Sequence, residues 1–252
     1  MSSKYGYCRV SISPVRAENK DSSEIVTQLL FGEVIEILEI KDSWSKIITY
    51  SDNYSGWIDV KHFKPLTHKE LGRWLDGLTY ERSIVRNVKT PWGLQRIVKG
   101  SFVPNSESLL FMIGNEKFQF EKDEDNKEIG SIYELATEYL NTPYLWGGKS
   151  PFGIDCSGLT QTVFRFFDIN LPRDASQQVE LGMTIGFEDR VSGDLAFFHN
   201  KSGKIIHVGI LDGLNSIIHA SGCVRIDQFS QEGILNSETG ELTHVLNSIK
   251  RF

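Results

Sequence analysis

Apolar residues recur along this chain at two different periods, and the order of those periods limits its folds more than any other feature. Up to residue 114 the runs are short and alternate roughly with period two, over 24–31, 34–40, 44–50 and 56–60, broken by Gly32-Glu33 and the polar turn Ser51-Asp52-Asn53. Alternation places side chains on two faces, and strands this short with turns this close suit a small barrel over residues 1–66. A looser version over 83–88, 94–104 and 109–114 predicts a second small barrel over 67–127, and the charge run 121–128 reads as a solvated linker. From residue 129 the period changes. Ile132, Leu135, Ala136, Tyr139 and Leu140 fall at helical spacing until Asn141-Thr142-Pro143 stops them. Leu159, Val163, Phe166 and Phe167 mark a second helix that ends before Pro172, and strands follow over 194–198, 205–211 and 216–220. Helices followed by an antiparallel sheet make residues 128–252 an α+β domain.

Composition removes several classes. The 252 residues carry 33 acidic and 27 basic side chains, so no broad basic surface is available to nucleic acid. No apolar run approaches the ~18 residues of a membrane span. The start Met1-Ser2-Ser3-Lys4-Tyr5-Gly6 shows no apolar stretch of a secretory signal, so with the free thiols the cytoplasm is the expected location, and the periplasm or exterior the alternative if a signal was removed. Three cysteines make no disulfide framework and leave at least one free thiol. No C-x-x-C or H-x-x-x-H spacing supports a metal site, so no cofactor or metal is expected, and the chain is expected to be a monomer.

Cys156 stands apart from the other cysteines. It falls where a loop turns into a helix, so unpaired N–H groups and the positive helix end favour a thiolate. Ahead of it, Pro143-Tyr144-Leu145-Trp146-Gly147-Gly148 reads as a cleft wall with close backbone approach. A nucleophilic thiol needs a histidine to take its proton and return it to the leaving amine. His207 and His219 lie on successive predicted strands. If a three-residue loop, 212–214, joins them, residue 211 faces 215 and His207 faces His219; an even loop would put the imidazoles on opposite faces. Asp155 reads as a helix cap beside the nucleophile. Cys8 and Cys223 read as buried small hydrophobes and His199 as a turn residue. His62, His68 and His244 have no evident partner.

The motifs Tyr144-Leu145-Trp146-Gly147-Gly148, Asp155-Cys156-Ser157-Gly158-Leu159, Gly193-Asp194-Leu195, His207-Val208-Gly209-Ile210 and His219-Ala220, in that order, resemble the NlpC family of papain-like cell-wall peptidases. The N-terminal half resembles bacterial SH3-like domains. The resemblance implies an α+β papain-like cysteine peptidase domain preceded by two small all-β SH3-like barrels. It implies Cys156 as nucleophile, His207 as general base and acid, and His219 as the residue orienting the imidazole. Cys156 N–H and Tyr144 would meet the oxyanion. Within the family the arrangement is most similar to the cytosolic γ-D-glutamyl-L-diamino acid endopeptidases of murein peptide recycling, the dipeptidyl-peptidase VI group. These release L-Ala-γ-D-Glu from murein peptides with a free N-terminal L-Ala. That similarity implies Glu18 and Tyr54 of the first SH3-like domain as closing the site, Asp155 as a candidate partner of the ammonium, and Ser157 and Ser176 as holders of the D-Glu α-carboxylate. Asn19 follows Glu18 where relatives carry proline. The implied partner is a murein peptide with diaminopimelate or L-Lys in third place. An amidase or acyltransferase on the same thiol, and a cell-wall-peptide binding module, are the rival readings.

Overall fold

The computed structural model describes residues 4–122 and 130–252. They divide into two compact units, residues 1–127 with 149–151, and residues 128–148 with 152–252. The expected linker at 121–128 and the expected boundary after residue 127 lie for the most part outside the described residues.

In the N-terminal unit, β1 (Tyr5–Cys8), β2 (Ile12–Arg16), β3 (Ile25–Leu30), β4 (Val34–Lys41), β5 (Trp44–Thr49), β6 (Ser55–Asp59) and β7 (Phe63–Leu66) form one antiparallel sheet, ordered β3-β2-β6-β5-β4-β1-β7. Their alternation buries Cys8, Val15, Leu29, Ile35, Ile47, Ile58 and Phe63 together. Burial also pushes the Cys8 thiol far above its ordinary range. The helix α1 (His68–Leu75) that follows was not anticipated. Thr67 and Glu70 form a capping box, each side chain accepting the other's backbone N–H. Leu71 and Trp74 bury one face of it, and Trp74 Nε1 donates to Gly32 O at 2.8 Å. Where a second barrel was expected, β8 (Leu78–Tyr80), β9 (Val85–Thr90), β10 (Gly93–Val98), β11 (Phe102–Pro104), β12 (Leu110–Ile113) and β13 (Glu116–Phe120) form a β8–β11 pair and a sheet ordered β10-β9-β13-β12. Phe31, Trp74, Phe102, Phe111 and Phe118 share one core across both parts of this unit. The two-residue strand β14 (Lys149–Ser150) groups with it.

The C-terminal unit begins with α2 (Ile132–Thr137), opened by a Ser131–Glu134 capping box. Then come β15 (Gly153–Ile154), α3 (Cys156–Arg165) and α4 (Ala175–Gln178). The strands β16 (Met183–Ile185), β17 (Ser192–His199), β18 (Ile205–Asp212), β19 (Ser216–Ser221), β20 (Cys223–Phe229), β21 (Gly233–Leu235) and β22 (Leu242–Arg251) are ordered β16-β22-β17-β18-β19-β20-β21. Because β21 also pairs with β22, the strands β17 to β22 close into an antiparallel barrel. One edge of β22 pairs with β17, and the other is divided between β21 and β16. Alternation sorts the side chains. Ala196, Phe198, Leu211, Ile217, Phe229, Ile234 and Ile249 fill the interior. Leu195, Phe197, Val208, Ile210, Ile218, Ala220 and Val224 face the other way, onto the core they share with α2 and α3. His207, His219 and Asp227 share the parity of the interior set. Asp194, from the Gly193-Asp194-Leu195 motif, ties β17 to β22 through a fork with Arg251, Nε–Oδ1 and Nη2–Oδ2 both 2.7 Å.

Candidate active site

The start of α3 is built around one carboxylate. Asp155 caps the helix, its Oδ1 accepting Gly158 N–H at 2.7 Å, while Oδ2 accepts Gly147 N–H at 2.8 Å. Arg173 forks onto the same carboxylate, Nη1–Oδ1 at 3.0 Å and Nη2–Oδ2 at 2.5 Å, and donates to Ser157 Oγ at 2.9 Å. Arg173, Asp155 and Ser157 are all buried. The glycine at 158 is required, since a Cβ there would stand 2.2 Å from Gly148 O. Cys156 is thereby fixed as the first residue of the helix, itself buried.

The other expected binding residues differ in setting. Tyr144 is half-buried, and burial, with Cys156 and Asp155 close by, raises its phenol to about 12, so it stays a donor at neutral pH. Ser176 is exposed on α4, a helix held to α3 because Gln178 accepts from Thr160 Oγ1 at 2.8 Å and donates to Ser157 O at 3.1 Å. Glu18 and Tyr54 belong to the N-terminal unit. Glu18 is exposed and meets Lys20 at 2.6 Å, and Tyr54 N–H donates to Thr49 Oγ1 at 2.8 Å.

The histidines meet, in a register different from the expected one. Ile210 pairs with Ile218 and Leu211 with Ile217, so the loop is 213–215 and residue 209, not 207, lies opposite 219. The loop keeps its odd length and both rings share a face, but they meet on the diagonal. His207 Nε2 lies 2.8 Å from His219 Nδ1, the rings edge-on at 83°. Gly209 makes that diagonal possible. A Cβ there would stand 2.7 Å from Ile217 Cδ1 and 2.9 Å from His219 Cβ. Gly209→Ala is therefore expected to displace His219 and lower kcat by about 10²-fold with KM little changed, which steady-state kinetics would check.

Two residues with no role in the sequence reading complete the cluster. His219 Nε2 lies 3.0 Å from Asp227 Oδ2 on β20, and Asp227 Oδ1 accepts Ser237 N–H at 2.8 Å and Arg225 Nη2 at 3.0 Å. Burial works to raise the Asp227 carboxyl, but the hydrogen bonds from His219, Ser237 and Arg225 outweigh it and hold the group below the ordinary carboxylate range. His244 on β22 stacks on His207, centroids 4.2 Å apart at 27°, and Phe198 packs against both. Burial, joined by His219 and His244, holds His207 well below its ordinary value; burial and His219 hold His244 at about 4.

The thiol departs from expectation. Burial and the Asp155 carboxylate push Cys156 up to about 12, against the N–H groups of Val208 and Ser157 and the charge of Arg173, which pull it down. The helix start does favour the thiolate, but desolvation wins. Both shifts work against a resting thiolate–imidazolium ion pair at neutral pH. All three cysteines are free, and Cys223 is half-exposed rather than buried. Among the described residues no group of three or more His, Cys, Asp or Glu is arranged to hold a metal.

Comparison with known proteins places these residues in context. Residues 141–241 match the NlpC/P60 family and residues 15–63 match the bacterial dipeptidyl-peptidase Sh3 domain. The chain is 29% identical to a γ-D-glutamyl-L-lysine dipeptidyl-peptidase of Bacillus subtilis, over 78% of this chain and 72% of that one. It is 40% identical to the probable endopeptidase NlpC of Escherichia coli over 37% of this chain and 62% of that one. The crystal structure of an NlpC/P60 family protein from Bacillus cereus superposes with a TM-score of 0.78, at 18% identity, over 98% of this chain and 99% of that one, a likeness of fold. The chain carries an NlpC/P60 peptidase domain together with a bacterial dipeptidyl-peptidase SH3 domain.

Proposed function

We propose that the protein is a papain-like cysteine endopeptidase that hydrolyses the γ-D-Glu–diamino acid bond of murein peptides with a free N-terminal L-Ala. The observation that carries the reading is the buried Cys156 at the head of α3, in a unit where His207 and His219 meet at 2.8 Å. His207 takes the thiol proton as Sγ attacks the γ-carbonyl. The oxyanion is met by N–H groups at the head of α3 and by the protonated Tyr144. The C–N bond breaks as His207 returns the proton to the leaving amine. Water, giving its proton to His207, then hydrolyses the thioester and frees L-Ala-γ-D-Glu and the thiol. The binding roles of Glu18, Tyr54, Asp155, Ser157 and Ser176 belong to the same proposal and rest on the family likeness. For Asp155, the Arg173 fork already claims the charge that an ammonium would need.

Mass-spectrometric product analysis tests it. L-Ala-γ-D-Glu-diaminopimelate, its L-Lys counterpart and their N-acetylated forms would be offered to the enzyme. Release of L-Ala-γ-D-Glu from the free forms only is the expected result. Equal cleavage of the acetylated forms would remove ammonium recognition and point to intact cell wall, and cleavage of none would overturn the reading.

A further inference from the structure

We infer that Asp227 is a positioning residue that sets the tautomer of both histidines, an inference that rests on the cysteine-peptidase reading above. An ionised carboxylate offers only acceptors. His219 Nε2, 3.0 Å from Asp227 Oδ2, must therefore carry its proton. With its one ring proton on Nε2, His219 has its lone pair on Nδ1, which lies 2.8 Å from His207 Nε2, so that nitrogen must be the donor. The relay leaves His207 Nδ1 as the one ring nitrogen with a free lone pair, which is what a general base requires. The opposite direction of donation would put a proton on His207 Nδ1 and abolish the base. One buried carboxylate, two hydrogen bonds away, thus decides which end of the relay is basic.

Asp227 is built to hold that polarity. It is buried, and its Oδ1 is occupied by Ser237 N–H and Arg225 Nη2. Arg225 Nε stands 2.8 Å from Oδ2, and Arg225 Nη2 reaches Glu238 at 3.4 Å. The remaining neighbour of the relay, His244, stacks on His207 without a hydrogen bond to it. His219 has no other carboxylate among its hydrogen-bond partners on the described residues.

The discriminating variant is Asp227→Asn. The backbone N–H of Ser237 cannot turn away, so the amide oxygen takes the Oδ1 place and the NH₂ faces His219 Nε2. That demands a lone pair on Nε2, and the protons shift across both rings to Nδ1. In ¹⁵N-histidine NMR at neutral pH, the Nδ1 and Nε2 signals of His207 and His219 should exchange character relative to the parent. In the same variant kcat should fall about 10³- to 10⁴-fold with KM nearly unchanged, as tautomer inversion does in other base-dependent hydrolases. A purely structural Asp227 would lose stability in this variant without exchanging the ring tautomers. Unchanged ring tautomers in Asp227→Asn would overturn the inference, whatever happens to activity. If that variant does not fold, the parent spectrum decides alone: a proton on Nδ1 of His219 would overturn it, and a proton on Nε2 would support it. The NMR readout needs no turnover, so a parent enzyme without peptidase activity would count against the proposed function and not against this inference.

Discussion

A Cys156→Ala variant should lose turnover by at least about 10⁴-fold while keeping the circular dichroism and melting temperature of the parent. The large effect follows from chemistry, since no other residue supplies a thiol at the head of α3. The small structural effect follows from setting. Cys156 is a small, buried first residue of a helix, and alanine is the best helix former, so the change in stability should stay within about 1 kcal/mol. No resting ion pair is lost, because burial works against charge on both the thiol and His207 at neutral pH. The same fact fixes the pH profile. Protonating His207 removes the base, and its value is lowered, so the acid limb of kcat/KM should lie below pH 6.5. Alkylation of Cys156 should keep accelerating with pH toward about 12, without a plateau near neutrality. Turnover in Cys156→Ala above one part in about 100 would sink the thiol mechanism. An acid limb above 6.5 would mean that His207 lies in a setting unlike the stacked, buried one described.

Arg173→Met should be the most destabilising single change near the site. Arg173 and Asp155 are both buried, and the arginine forks onto a carboxylate that also receives Gly147 and Gly158 N–H groups. Removing one partner strands a buried charge, which costs about 3–5 kcal/mol. In a unit of this size that lowers the unfolding temperature by about 10 °C. Activity should fall as well, because Arg173 is one of the groups holding the Cys156 thiol down, and the cap it braces sets the direction of the helix. The double variant Asp155→Asn with Arg173→Met tests the argument. Asparagine keeps the cap and carries no charge, so the pair together should be more stable than Arg173→Met alone. Calorimetry showing additive losses would contradict the pairing.

The positions of Cys156, His207 and His219 were legible because each sits on a local pattern: a loop-to-helix turn for Cys156 and an alternating strand for each histidine. The register was off because Asp212 remains in its strand. Its Oδ1 accepts from Leu214 and Ser216 N–H at 2.7 and 3.0 Å, which moves the loop to 213–215. Parity survived the shift, so the rings still meet. Helix α1 went unread although Thr67, Glu70, Leu71 and Trp74 spell a capping box and one buried face, because the strands on either side dominated the pattern. Asp227 and His244 went unread for a different reason. On β20 the positions that face the barrel interior are Arg225 and Asp227 before Phe229, and on β22 one is His244, so polar relay residues stand where alternation needs apolar ones. The function of those strands hides their period.

Closure of the barrel through β22 carries a consequence for how the enzyme comes into being. Residue 251 must find residue 183, and 245 must find 199 and 233, before the interior is sealed. Pairings between such distant parts of a chain form slowly. His244 reaches its place over His207 only when β22 docks. In a refolding experiment, the return of peptide cleavage therefore times the zipping of β22, and it should lag behind the return of helix signal from α2 and α3.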